Sequence, residues 1–208
     1  GREHEVVEGG VGYGYIGGGG EKETRRGGAG NDTVSGGVGS DSLDGEAGND
    51  RILAGLSEAG GDPNSIHLID AGEGLDVVYG DVGPDTIFGG AGVDQIFALA
   101  GDDTIDAGAG DDTVYGGAGS DRITGGWGRD AIYAGLTTAG GGSATDTNTV
   151  FGDAELGAAP GAVTDEADTI YGDIGADTIH AGLGNDTIYA LQGSDFITGG
   201  PQADTIYA

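Results

Sequence analysis

The sequence predicts an all-β solenoid, wound as about ten coils of roughly 18 residues with two short parallel sheets. Three observations predict it. Glycine makes up 50 of the 208 residues and falls on a nine-residue beat, as in GGAGNDTVSGGVGSDSLDGEAGND from Gly27 to Asp50. Each period carries an aspartate at its sixth position and an aliphatic residue at its eighth, with little else held fixed. One unit cannot bury its single aliphatic side chain, whereas stacked units bury a column of them.

With position one set at Gly27, nonapeptides begin at 27, 36 and 45, resume at 71, 80, 89, 98, 107, 116 and 125, and return at 172, 181, 190 and 199. In each, G-G-x-G-x-D is turn chemistry, because glycine reaches the positive φ values that a tight loop needs. The following x-U-x, with U aliphatic, is a very short strand. Its middle residue (Val34, Leu43, Ile52, Val78, Ile87, Ile105, Ile206) faces one way and positions seven and nine face the other. Consecutive units alternate between the two sheets.

Three units carry enlarged turns. Residues 54–70 end in HLID, 134–151 in NTVF and 152–171 in DTIY, so the turn grows by 8, 9 and 11 residues while the strand survives. The single continuous solenoid then divides into degenerate coils over 1–26, a regular stretch over 27–133 with one enlarged turn at 54–66, two enlarged repeats over 134–167, and a regular stretch over 168–208. The register places Gly1 at position two and Ala208 at position one, which suits a piece of a longer array or copies stacked end to end.

The chain has 36 acidic residues against 7 basic ones, a net charge of −29 and a pI near 4.1. The charges are spaced rather than blocked, unlike an acidic tail. Such a balance excludes nucleic acid as a partner, since phosphate binding needs Lys and Arg clusters, and it favours cations. There is no cysteine, hence no disulfide and no thiolate metal site. No apolar run is long enough for a membrane span. His4, His67 and His180 lie far apart in register, and paired carboxylates are better explained by cations than by acid–base work, so no enzyme is expected.

The sixth-position aspartates are Asp32, Asp41, Asp50, Asp76, Asp85, Asp94, Asp103, Asp112, Asp121, Asp130, Asp168, Asp177, Asp186, Asp195 and Asp204. Stacking brings them into two columns spaced by about 4.8 Å, which repel themselves apart unless something cationic intervenes. Aspartate oxygens with glycine-turn carbonyls form an all-oxygen environment suited to Ca2+; Mg2+ keeps its waters and Zn2+ wants His or Cys. One row runs unbroken from Asp32 to Asp204, while the other is interrupted by His67, read as a lost ligand, and by Asn148. Neighbouring pairs give about eight to eleven ions, allowing for the long turns. At the start Glu5, Gly14 and Glu23 replace aspartate and Arg25 takes an inward position, so these coils are expected to be metal-poor, with Arg2, Lys22, Arg25 and Arg26 substituting ion pairs.

These units resemble the RTX nonapeptide G-G-x-G-x-D-x-U-x, over essentially the whole chain and strictly in about fourteen units. The resemblance implies a right-handed parallel β-roll. Each ion would sit between turns two units apart, held by the position-six aspartates and by turn carbonyls. Here those are the carbonyls of Gly27, Gly28, Gly30, Gly36, Gly37, Gly39, Gly89, Gly90, Gly92, Gly108, Gly110, Gly116, Gly117, Gly119, Gly182 and Gly184. It also implies a secreted or cell-surface bacterial protein, exported unfolded through a type I channel and folding on contact with millimolar Ca2+. Three roles stay open: a structural module of a surface layer, filament or large adhesin; a folding and export segment of a secreted enzyme or toxin; or a glycan-binding module.

Position nine of one row carries Tyr79, Phe97, Tyr115, Tyr133, Tyr171, Tyr189 and Tyr207, an aromatic stripe about 30 Å long on the outer face of one sheet. It reads as a ladder shielding a thin sheet, as a surface for lateral packing between copies, or as a platform for the sugar rings of a surface polysaccharide. Trp127, at a turn position, reads as a surface cap. The turns AGLSEAGGDPNSI and AGLTTAGGGSATD resemble each other and fall on one edge; GDAELGAAPGAVTDEAD falls opposite. All are small and polar. They read as surface decoration or as an extra Ca2+ site using Asp146, Asp153, Glu155, Asp165 or Glu166.

Overall fold

The computed structural model describes residues 5–55, 62–135, 145–153 and 167–208. The expectations for Arg2, His4, Glu155, Asp165, Glu166, the Glu5 side chain and most of the three enlarged turns lie outside the described residues.

Among the described residues all strands fall into two ten-stranded sheets, and every strand pairing is parallel. Successive strands alternate between the sheets, so two units make one coil of an all-β solenoid of about ten turns. The pairing Gln95↔Thr113, Ile96↔Val114 and Phe97↔Tyr115 shows the 18-residue advance. Each enlarged turn lengthens that interval without shifting the register: Ser42 pairs with Leu68, Arg122 with Thr149 and Ala131 with Thr169. A strand needs its aliphatic residue to meet the one before it, and a slip of one residue would turn that residue to solvent. Extra chain is therefore expelled at the turn.

The core is as thin as the sequence implies, though wider by one column. Ile52, Val78, Ile96, Val114, Ile132, Ile170 and Ile188 face Leu43, Ile69, Ile87, Ile105, Ile123, Val150 and Ile179 across the interior, all buried. Position one also turns inward: Ala54, Ala71, Ala98, Ala107, Ala134, Ala181 and Ala190 are fully buried beside them. The first coils depart from this pattern. Val11, Tyr13 and Tyr15 are exposed, and Arg25 occupies the aliphatic slot while only 3% exposed.

Position-four glycines are required by close approach as well as by conformation. Gly92 and Gly110 both have φ of 144°, and a Cβ at either would meet the carbonyl oxygen of the glycine one coil earlier, Gly74 or Gly92. Position two is left-handed in many units, and three residues with side chains take that conformation there: Glu46 (φ 71°), Leu99 (φ 83°) and Leu191 (φ 73°). No helix among the described residues is long and apolar enough to cross a membrane.

Candidate metal centres

Each position-six aspartate stands where a glycine turn enters a strand, and stacking sets it directly over its counterpart in the next coil. The backbone N–H of one donates to Oδ1 of the next. The distances are 2.7 Å for Asp32 to Asp50, 2.6 Å for Asp50 to Asp76 and 2.8 Å for both Asp76 to Asp94 and Asp94 to Asp112. The same bond continues from Asp112 to Asp130 (2.9 Å), Asp130 to Asp168 (2.8 Å), Asp168 to Asp186 (2.9 Å) and Asp186 to Asp204 (3.1 Å). The row is thus unbroken across the enlarged turn before Asp168. In the other row Asp85, Asp103 and Asp121 are linked in the same way at 2.8 and 3.0 Å, as is Asp177 to Asp195 at 3.0 Å.

The second carboxylate oxygen is different. In Asp32, Asp41, Asp50, Asp76, Asp94, Asp103, Asp112, Asp121 and Asp168, Oδ2 is buried and accepts no hydrogen bond. A buried anionic oxygen without a donor is strongly disfavoured. Burial foremost, reinforced by neighbouring carboxylates and opposed by the N–H on Oδ1, raises Asp50 and Asp94 to about 6, Asp76 and Asp112 to about 7, and Asp103 and Asp168 to about 8. Either protons or a cation must offset these charges. Among the described residues the carbonyls of Gly30, Gly39, Gly110, Gly119 and Gly184, all at position four, accept no backbone hydrogen bond. Gly28, Gly90, Gly108 and Gly117, at position two, are engaged in the strand ladders, and the Gly36 carbonyl accepts from Gly19 at 3.2 Å. The open donors are all oxygen, which fits Ca2+.

Asp195 and Asp204 lie in the last coil, half-buried, while Asp85 and Asp177 use Oδ2 to accept the N–H groups of Asp81 and Asp173, each at 2.9 Å. Those two partners are buried acidic residues that sequence reasoning missed, both 0% exposed. Their signal was present in GDVGPD and GDIGAD, where position two is aspartate instead of glycine. His67 and Asn148 interrupt the charge of their row and keep its hydrogen bonds. Asp41 N–H donates to His67 Nδ1 at 3.2 Å, and Asp121 N–H to Asn148 Oδ1 at 2.8 Å.

In the first coils a guanidinium stands near the corresponding carboxylate. Buried Arg25 lies with Nη2 3.6 Å from Glu23 Oε2, and the Glu23 N–H donates to Asp41 Oδ1 at 2.9 Å. Arg26, at the surface, is 3.5 Å from Glu8 and 3.6 Å from Asp44.

The aromatic stripe is a continuous stack. From Tyr79 through Phe97, Tyr115, Tyr133, Tyr171 and Tyr189 to Tyr207, adjacent ring centroids are 4.6 to 5.0 Å apart and their planes lie within 13°. The Arg51 guanidinium lies 4.9 Å over Tyr79. Ring faces therefore meet one another and ring edges meet solvent. Trp127 is exposed.

A comparison with curated proteins finds no match. The family model of the RTX calcium-binding nonapeptide repeat matches residues 26–56, 70–105, 106–136, 163–188 and 181–208, well over half of the chain. These matched stretches hold the same glycine turns and stacked aspartates that build the two columns, and the chain belongs to the family of RTX calcium-binding nonapeptide repeats.

Proposed function

We propose that this chain is an extracellular structural module that folds when Ca2+ fills the two aspartate columns, holding about eight to eleven ions. The observation that carries this reading is the file of buried Oδ2 atoms without a hydrogen-bond donor. Position-six aspartates supply the carboxylates, and position-four carbonyls are the glycine donors with lone pairs to spare. In the first coils Arg26 pairs with Glu8 of the coil before and Asp44 of the coil after, in place of ions, and the enlarged turns leave the columns in register. A chain this acidic stays open without metal, which suits export through a type I channel from a bacterial cell and folding outside it. The stripe stabilises the sheet it lies on. Stacking on a polysaccharide needs free ring faces, and within the ladder those faces are already in contact with each other.

Small-angle X-ray scattering across a Ca2+ titration, from excess chelator to about 10 mM, tests this. The radius of gyration is expected to fall from roughly 50 Å to about 17 Å, the values for an unfolded and a compact chain of this length. Growth of particle length after the collapse would identify end-to-end assembly of copies. A profile indifferent to Ca2+ would overturn the proposal.

A further inference from the structure

His67 stands in a sixth-position slot, where the lack of a carboxylate breaks one aspartate row. Its side chain is buried, 1% exposed, and each ring nitrogen faces a carboxylate. Nε2 is 3.3 Å from Asp81 Oδ2, and Nδ1 is 3.7 Å from Asp41 Oδ2. Among the described residues, His67, Asp81 and Asp85 are the one group of three metal-ligating side chains whose donor atoms all lie within 4.8 Å of one another. All three residues are buried.

The spacing suits ligands of one small cation. A tetrahedral ion with bonds of about 2.0–2.2 Å sets its ligand atoms about 3.3–3.6 Å apart. The 3.3 Å between Nε2 and Asp81 Oδ2 matches such an edge and is long for a hydrogen bond. Other bonds hold the carboxylates in place. Asp81 Oδ1 accepts the Gly83 N–H at 2.7 Å, and Ser65 Oγ lies 2.5 Å from Oδ2. Asp85 accepts the His67 N–H on Oδ1 and the Asp81 N–H on Oδ2, both at 2.9 Å, and each oxygen keeps a second lone pair.

Asp41 supplies an independent observation. It is the one sixth-position aspartate without an aspartate next to it in its row, since Glu23 precedes it and His67 follows. The aspartate pairs proposed to hold Ca2+ leave it out, yet its Oδ2 is buried and accepts no hydrogen bond. A metal-ligating imidazole characteristically gives its other N–H to a carboxylate. In the metal-free chain Nδ1 accepts the Asp41 N–H at 3.2 Å, so the neutral ring carries its proton on Nε2. When a cation takes that place, the proton moves to Nδ1, and a small turn of the ring presents it to Asp41 Oδ2.

We propose that His67, Asp81 and Asp85 bind one first-row divalent transition-metal ion of the Zn2+ type, with Asp41 orienting the imidazole. One ring nitrogen and two carboxylates are a donor set for such an ion, whereas Ca2+ takes six to eight oxygens. The second break in the row lacks the site, because Asn148 offers an amide where His67 offers an imidazole. The proposal does not require the Ca2+ columns to be filled.

Zn2+ is titrated by calorimetry into the full chain in about 10 mM Ca2+, with circular dichroism to verify the fold. One Zn2+ per chain is expected to bind despite the excess Ca2+. His67→Asn is expected to lose it. That substitution copies the second break, where Asn148 Oδ1 accepts the Asp121 N–H at 2.8 Å, so the backbone contact is kept. Asp81→Asn is expected to lose the ion too, and decides if His67→Asn does not fold. Asp41→Asn should weaken binding by about 10–100-fold while Co2+ at saturation keeps its visible spectrum, since the ligands are unchanged. His180→Asn, on the outer face, should leave the count at one. A wild-type chain that binds no Zn2+, an ion kept by folded His67→Asn or by Asp81→Asn, or an ion lost with His180→Asn overturns the proposal. A fold indifferent to Ca2+ overturns the Ca2+ reading instead, and the Zn2+ count is read on the same chain either way.

Discussion

Asp103 shows what one residue of this roll must reconcile. Its Oδ1 accepts the Asp85 N–H, its Oδ2 is buried without a donor, and burial raises its carboxyl to about 8. The group proposed to hold an ion is a liability without one. Asp103→Asn should therefore act with opposite sign in the two states: easier compaction in chelator at pH 7.5, and Ca2+ affinity at the adjoining ions weakened by at least about tenfold. Calorimetric titration and scattering in chelator check the two arms. Glu46 makes a separate point. It is exposed and left-handed (φ 71°), a conformation that costs a side-chain-bearing residue about 1–2 kcal/mol. Glu46→Gly should raise the stability of the Ca2+-loaded chain by about 1 kcal/mol in urea unfolding. Leu99 shares the strain, but its half-buried side chain offsets part of the gain. The position-six aspartates were legible because period alone marks them. Asp81 and Asp173 were marked only by the missing glycine at position two, and it takes the stacked backbone to show that position two turns inward at those units.

At the scale of the element, the strand is too short to hold itself and depends on its neighbours in the sheet. The stripe shows how far sequence carries such an argument. Period and row placed seven aromatic residues on one face; whether they would meet partners or each other depended on geometry. Parallel in-register pairing spaces residues by about 4.8 Å, close to a stacking distance for aromatic rings, so the ladder closes its own faces. Tyr133 has Tyr115 at 4.6 Å on one face and Tyr171 at 4.9 Å on the other, whereas Tyr207 has one ring neighbour and is 54% exposed. With each contact worth about 0.5–1.5 kcal/mol beyond burial, Tyr133→Ala should cost about 2–3 kcal/mol and Tyr207→Ala about 1 kcal/mol or less. Thermal unfolding in excess Ca2+ measures both. Equal costs would show that the stack adds nothing. The enlarged turns follow the same logic from the other side: the sequence located them, and the pairing of Thr169 on Ala131 shows that the sheet keeps its register across the longest of them.

For the whole molecule, a net charge of −29 is set against a core one side chain deep. Raising one carboxyl from 3.8 to about 7, as at Asp76, corresponds to about 4 kcal/mol against its charged form. A folded domain has a total margin of about 5–15 kcal/mol, so a few such groups left ionised and uncompensated exceed it. The sign of the pH dependence follows. These carboxyls titrate higher in the folded chain than in the unfolded one, so between about pH 4 and 8 the folded state binds more protons. Stability without Ca2+ must then fall as pH rises through that window and be greatest at its acid end. With Ca2+ in the proposed columns it competes with those protons for the same oxygens, so its affinity must rise over the same range. Far-UV circular dichroism in chelator should show little β-structure at pH 7.5 and a growing amount as pH falls towards 5. In 10 mM Ca2+ the signal should persist at pH 7.5, and the Ca2+ midpoint should move to higher concentration as the solution is acidified. A chelated chain as well folded at pH 7.5 as at pH 5 would mean that the buried carboxylates find their compensation within the protein, and the ion would then be a passenger on a fold that stands without it.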